Sequence, residues 1–246
     1  MRRNRIRIAV LNAQSGVGTT LGRRQYVTTG WRYRLPHTNK YLLQAGQMLQ
    51  EERVDLALCV ELSEHSLTSG FKSQTEIMRE ASGLSNSTFF SASRLYPFLH
   101  EGLAVITRYP IKEAQTHLLP RGLFQRVMGE VVIEIDHQTN ISVFVTHLAL
   151  GEKAREEQCE AVAEIVGKSG NPVILGGDFN TKDTTWLTER LPPGLRECSD
   201  PTFPAWRPRV ALQRLFFNEE IRLREVWTAP ARAFSDHLPL LVQIEL

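Results

Sequence analysis

Several apolar runs of this 246-residue chain stop at a side chain able to bind a cation or move a proton: LNAQ at Asn12, LCVEL at Glu61, FVTHL at His147, and VILGGDFN at Asp178 and Asn180. A fifth polar cluster, Ser235-Asp236-His237, stands just before the last apolar run. Taken singly each suits a bland role: Asn12 as a helix cap, Glu61 as a surface acid, His147 as a satisfied core histidine, Asp236 as a turn residue. Taken together, carboxylates and amide oxygens suit a hard cation such as Mg²⁺, which binds one or two carboxylates and keeps waters for a substrate phosphate to displace. Two histidines add hydrogen-bond donors and proton carriers that work near neutral pH. The set predicts metal-assisted phosphoester hydrolysis.

Those side chains need strands to hold them. Arg5 to Leu11 alternates and then turns apolar, which suits a strand ending at Asn12, and Val54 to Val60 reads as a second strand ending at Glu61. Between them Tyr41, Leu42, Ala45, Met48 and Leu49 fall at helical spacing, predicting an amphipathic helix over about 38–53. A short helix is expected at 74–82 and strands at 88–94, 103–107 and 111–118. Val127 to Ile135 and Ile141 to His147 form a hairpin around Asp136–Asn140, followed by a helix over 151–168 that stops at Gly170. Val173-Ile174-Leu175 is an interior strand released by Gly176-Gly177, so Asp178 and Asn180 lie at its carboxyl end. After a Pro-rich irregular stretch, strands are expected over 211–217, 221–227 and 238–244. Hairpins mixed with helical connections indicate mixed sheets packed together with helices outside.

Length and composition agree with one soluble domain spanning 1–246, with 42% hydrophobic and 23% charged residues and no linker or fixed-period repeat. A net charge of +2 is too small for a generic nucleic-acid binder, although MRRNRIRI is locally basic. Cys59, Cys159 and Cys198 are odd in number and lack zinc-site spacing, so they read as free thiols in a reducing, cytoplasmic compartment. No apolar stretch of signal-peptide length follows the first arginines, and no run approaches the roughly 18 apolar residues of a membrane span. No obligate protein partner is predicted.

In order and context, Asn12, Glu61, Thr146-His147-Leu148, Gly177-Asp178-Phe179-Asn180 and Ser235-Asp236-His237 resemble the signature of the endonuclease/exonuclease/phosphatase superfamily, and GLAVITRYPI at 102–111 resembles the segment before its central hairpin. The resemblance runs from residue 8 to the last strand. It implies a four-layer α/β/β/α sandwich of two packed mixed β-sheets with the site at one rim. It also implies that Glu61 binds Mg²⁺, with Mn²⁺ as the alternative ion, helped by Asn12 and Asp236. Asp178 would orient or deprotonate the attacking water and Asn180 would hold it or a phosphoryl oxygen. His147 and His237 would stabilise the charge that builds on the non-bridging oxygens. The substrate implied is a phosphodiester, either nucleic acid or a phosphorylated lipid or inositol.

One position departs from that pattern. Where the family usually carries an Asp that pairs with the SDH histidine, the strand ALQRLFF offers Gln213. A Gln oxygen can accept the imidazole N–H and fix the tautomer, but it does not stabilise an imidazolium as a carboxylate does. The same departure supports a rival class, a catalytically weakened member that binds a phosphorylated ligand. A nucleotide loop at SGVGTT fails, because it lacks the lysine of a Walker loop and has Leu21 where a dinucleotide fingerprint needs glycine. The segment RRQYVTTGWRYRLPHTNK interleaves arginines with Tyr26, Trp31 and Tyr33, and Trp31 with Arg32 is the candidate substrate contact there.

Overall fold

The computed structural model describes residues 5–229 and 234–246; Arg2 and Arg3 of the basic opening lie outside the described residues. In chain order the elements are β1 (Arg5–Asn12), α1 (Gln25–Thr29), α2 (Lys40–Glu51), β2 (Leu56–Ser63), α3 (Gln74–Ser82), β3 (Asn86–Leu95), β4 (Leu99–Thr107), β5 (Ile111–Leu118), β6 (Val127–Asp136), β7 (Thr139–His147), α4 (Glu152–Val166), β8 (Val173–Asp178), α5 (Thr184–Arg190), β9 (Leu195–Cys198), β10 (Gln213–Asn218), β11 (Arg222–Thr228) and β12 (Leu240–Glu245). They form two six-stranded mixed sheets, ordered β11-β12-β1-β2-β4-β3 and β5-β6-β7-β8-β10-β9.

Period-two patterning explains the layers. Ile8, Val10, Leu58 and Val105 from the first sheet meet Val131, Val143, Ile174 and Leu215 from the second in one central core. Each such side chain contributes about 1.5–3 kcal/mol by leaving water. The alternate residues face outward and are covered by helices. Ala9, Ala57 and Ile106 lie under Leu42, Met48 and Leu49 of α2 and Met78 of α3. Phe144, Leu175 and Phe216 lie under Cys159 and Val162 of α4 and Leu187 of α5. The result is the α/β/β/α sandwich.

Two strands differ from the sequence expectation in a way that matters. β2 does not stop at Glu61; it continues to Ser63 through a register shift between Val60 and Leu62 against β4. β4 begins at Leu99 rather than 103 and forms a long hairpin with β3. Helix α5 and strand β9 lie in a stretch where short runs between polar residues carry no periodic signal. All three cysteines are free and buried. No described helix is long and apolar enough to cross a membrane.

Candidate active site

The two sheets bring their strand ends to one rim by register. β1 and β2 are parallel with Asn12 opposite Val60, while β7 and β8 are parallel with His147 opposite Asp178. Gln213 lies opposite Asp178 on the other side, where β10 pairs with β8. The double glycine of VILGGDFN follows from this closeness. Gly177 has φ 151°, and a Cβ there would lie 1.9 Å from the Thr146 carbonyl oxygen, so no other residue lets β7 and β8 run together to this depth.

Backbone conformation also aims the acids. Glu61 is the extra residue at the β2 register shift and has φ 56°. A bulge of this kind re-aims one side chain without ending the strand. Asn180, with φ 50°, is likewise left-handed. A non-glycine residue pays about 1–3 kcal/mol for such a backbone, a cost that clusters at functional sites.

The side chains converge in two pairs. Glu61 Oε1 accepts a hydrogen bond from Asn12 Nδ2 at 2.9 Å and lies 3.9 Å from His147 Nε2. Asp178 Oδ2 lies 3.8 Å from His237 Nε2, and its Oδ1 accepts from the Asn180 backbone N–H at 3.0 Å. Asn180 Nδ2 in turn donates to the Leu148 carbonyl at 2.8 Å. Asp236 Oδ2 accepts from the Tyr26 hydroxyl at 2.6 Å. The adjoining cavity of about 250 Å³ is lined by Glu61, His147, Tyr33, Glu101, Arg126 and Phe124 among others.

Arg126 is a site residue that no motif in the sequence announces. Its Nη1 lies 3.1 Å from His147 Nδ1. A guanidinium only donates, so Nδ1 accepts and the ring proton sits on Nε2, facing Glu61. Register could have located Arg126: Met128 pairs with Thr146, so the residue just before β6 reaches the end of β7. The aromatic segment does reach the site, but through its tyrosines, with Tyr26 on Asp236 and Tyr33 in the cavity wall. Trp31 is half exposed, and Arg32 lies over its ring and donates to the Val17 carbonyl at 2.7 Å; neither lines the cavity.

Gln213 is placed differently from the pairing expected of it. Its amide oxygen accepts from the Asn12 N–H and its amide nitrogen donates to the Leu238 carbonyl, each at 2.7 Å. Both atoms are therefore committed to the backbone, and His237 Nδ1 is buried with no hydrogen-bond partner among the described residues. The His237 ring instead packs against Phe203, with centroids 4.7 Å apart.

The electrostatics are unbalanced. Burial pushes the Glu61 carboxyl up to about 8, with repulsion from Asp236, Asp178 and Glu101 adding to it against the Asn12 hydrogen bond. Burial and the Arg126 charge hold His147 down at about 3, so its imidazole is neutral. Tyr26 is raised by burial and by its hydrogen bond to Asp236. The described residues contain no group of three or more His, Cys, Asp or Glu arranged around a metal. Asn12 turns its oxygen to the Gln14 N–H at 2.9 Å and its nitrogen to Glu61, so in this geometry it orients Glu61. Crowded carboxylates with few protein oxygens on offer fit an ion held by one or two carboxylates and water, as Mg²⁺ is.

A rim of this kind on a four-layer sandwich defines a class, and the chain belongs to the Endonuclease/Exonuclease/phosphatase family, which matches residues 12–237. Members of that family are hydrolases acting on phosphoesters. The chain is 29% identical over 181 residues to YbhP of Escherichia coli strain K12, covering 64% of this chain and 68% of YbhP. An endonuclease/exonuclease/phosphatase from Beutenbergia cavernae superposes on 100% of this chain and 72% of its own, with a TM-score of 0.77 and 18% identity. The mannosyl-6-phosphatase Bt3783 of Bacteroides thetaiotaomicron covers 97% of this chain and 99% of its own, with a TM-score of 0.69 and 18% identity. At such identities the structural likeness shows the fold alone.

Proposed function

We propose that the protein hydrolyses a phosphodiester, with Mg²⁺ or Mn²⁺, by in-line attack of an activated water. The observation that carries this reading is the meeting of Glu61 with His147 and of Asp178 with His237, at 3.9 and 3.8 Å, from two different sheets at one rim. A divalent ion on Glu61 and Asp236, when bound, supplies positive charge to a phosphoryl oxygen. His147, neutral and protonated on Nε2, donates a hydrogen bond to a non-bridging oxygen. Arg126 adds charge beside it. Asp178 accepts the proton of the attacking water, and Asn180 holds the loop that presents it. Buried free thiols support a reducing, cytoplasmic setting.

Hydrolysis of bis(p-nitrophenyl) phosphate with Mg²⁺ or Mn²⁺ tests this. Glu61→Ala and His237→Ala should each lower turnover by about 10²–10³. Activity that survives both substitutions excludes this site. The second reading, a weakened member that holds a phosphorylated ligand, is favoured by His237 Nδ1, which has no hydrogen-bond partner among the described residues. Phosphate-ligand binding without turnover in the wild type would establish it.

A further inference from the structure

The cavity beside Glu61 continues outward. Ala92, Ser93, Leu99, Phe124 and Gln125 line both it and a second groove that ends at Leu95 and Leu123. The lips of that groove are the β3–β4 turn and the loop from β5 to β6. Leu95, Tyr96 and Phe98 on the first, and Leu118, Leu123 and Phe124 at the second, are 58–87% exposed. Large apolar side chains clustered so densely around a site mouth mark an interaction surface. Hydrogen bonds fix the backbone of both tips. The Phe98 N–H donates to the Leu95 carbonyl at 2.8 Å, and Leu67 N–H holds the Pro97 carbonyl at 2.7 Å. The other loop is closed at its base by Leu119 N–H on the Arg126 carbonyl and by Gln125 Nε2 on the Leu119 carbonyl.

Charge narrows the occupant. Exposed Arg94 and Arg121 flank the apolar tips, and neither SASRLYPFL (91–99) nor LLPRGLFQR (118–126) contains a carboxylate. Apolar residues ringed by arginine match the boundary between acyl chains and anionic head groups. Single-stranded nucleic acid could stack on Tyr96, Phe98 and Phe124, but it leaves Leu118 and Leu123, the two most exposed of the six, with nothing to stack on. A second copy across a two-fold axis would set the arginines against one another. We infer that the two lips seat the protein on an anionic phospholipid surface and deliver the phosphoester of a lipid head group to Glu61. The delivery half rests on the function proposed above, while the surface binding does not.

The test is co-sedimentation of the full chain with vesicles of phosphatidylcholine alone or doped with phosphatidylglycerol. Wild type should sediment with the doped vesicles. Leu95→Ser/Phe98→Ser/Leu123→Ser should weaken this by about tenfold, and Arg94→Glu/Arg121→Glu should remove the preference for phosphatidylglycerol. The triple variant should keep its bis(p-nitrophenyl) phosphate turnover yet lose hydrolysis of vesicle phospholipid. Glu61→Ala should still bind vesicles, which separates the two claims, since loss of soluble turnover leaves the sedimentation result standing. Wild type that ignores vesicles, or a triple variant that sediments equally, overturns the inference. So does a triple variant whose only defect is in binding a single-stranded oligonucleotide or in self-association.

Discussion

Two arginines, Arg214 on β10 and Arg126 just before β6, show how differently one fold treats a buried cation. Arg214 is 1% exposed and gives its guanidinium to Glu197, to Thr184 Oγ1 at 2.9 Å and to the Thr181 carbonyl at 3.1 Å. Arg126 faces the cavity and donates to a neutral imidazole rather than to an acid. Glu61, Asp178 and Glu101 sustain its charge from nearby, against a burial that lowers its pKa. The first centre pairs its cation with an acid and two further oxygens, leaving Arg214 Nε and Glu197 Oε2 without a partner among the described residues, and its role is structural. The second leaves Glu61 pushed up and His147 pushed down, and perturbation of that kind in a cleft marks a centre built to act on a ligand.

Removing one charge from each centre gives the widest separation. Glu61→Ala should cut phosphodiesterase turnover by about 10²–10³ while leaving the urea midpoint unchanged or raised, because a crowded carboxylate is lost. Arg214→Met leaves Glu197 buried without its partner and should cost about 3–5 kcal/mol in urea unfolding, with turnover per folded molecule retained. Equal effects on stability from both substitutions would erase the distinction. Arg126→Met should fall between them, lowering kcat by about 10² and freeing His147 to carry its proton on Nδ1. Nitrogen-15 NMR of the imidazole reads that tautomer directly, and an Nε2–H ring in the variant would remove the positioning role.

Most strands, the longer helices and their packing as mixed sheets were legible in the sequence because those strands alternate or run apolar and each longer helix carries one buried stripe, whereas α5 and β9 carry no such pattern. The motif acids and histidines were legible because they sit where apolar runs stop. What local sequence does not carry is which strand end faces which. Arg126 reaches His147 only through the β6–β7 register, and Glu61 points inward only because of a bulge that its own LCVEL context does not announce. Gln213 is the sharpest case. Its residue type suggests a substitute for an imidazole partner, yet the structure uses it to tie Asn12 of one sheet to Leu238 at the entry to the last strand. Gln213→Asp is one methylene shorter and has no donor for the Leu238 carbonyl, so it should lose about 1–3 kcal/mol of stability and no turnover should be gained. A variant faster than wild type would restore the imidazole-partner role.

The smallest contrast is in pH. Without metal, Glu61 is raised from 4.5 to about 8, so the folded protein holds a proton that the unfolded chain has lost, and stability falls as pH rises through that window. His147, lowered from 6.5 to about 3, stays neutral in the fold while the unfolded chain takes a proton, so stability falls as pH drops below 6.5. The slopes oppose each other between 4.5 and 6.5, and above 6.5 Glu61 acts alone. Its side chain is 32% exposed. Solvent screening therefore reduces the expected decline between about pH 6.5 and 8 to about 1–2 kcal/mol. Urea unfolding in chelator at both pH values should show that decline for wild type and a flat response for Glu61→Gln. A wild-type protein equally stable at both, or a variant with the same slope, would mean that the carboxylates at the rim are not crowded and that the second centre differs from the first in geometry alone.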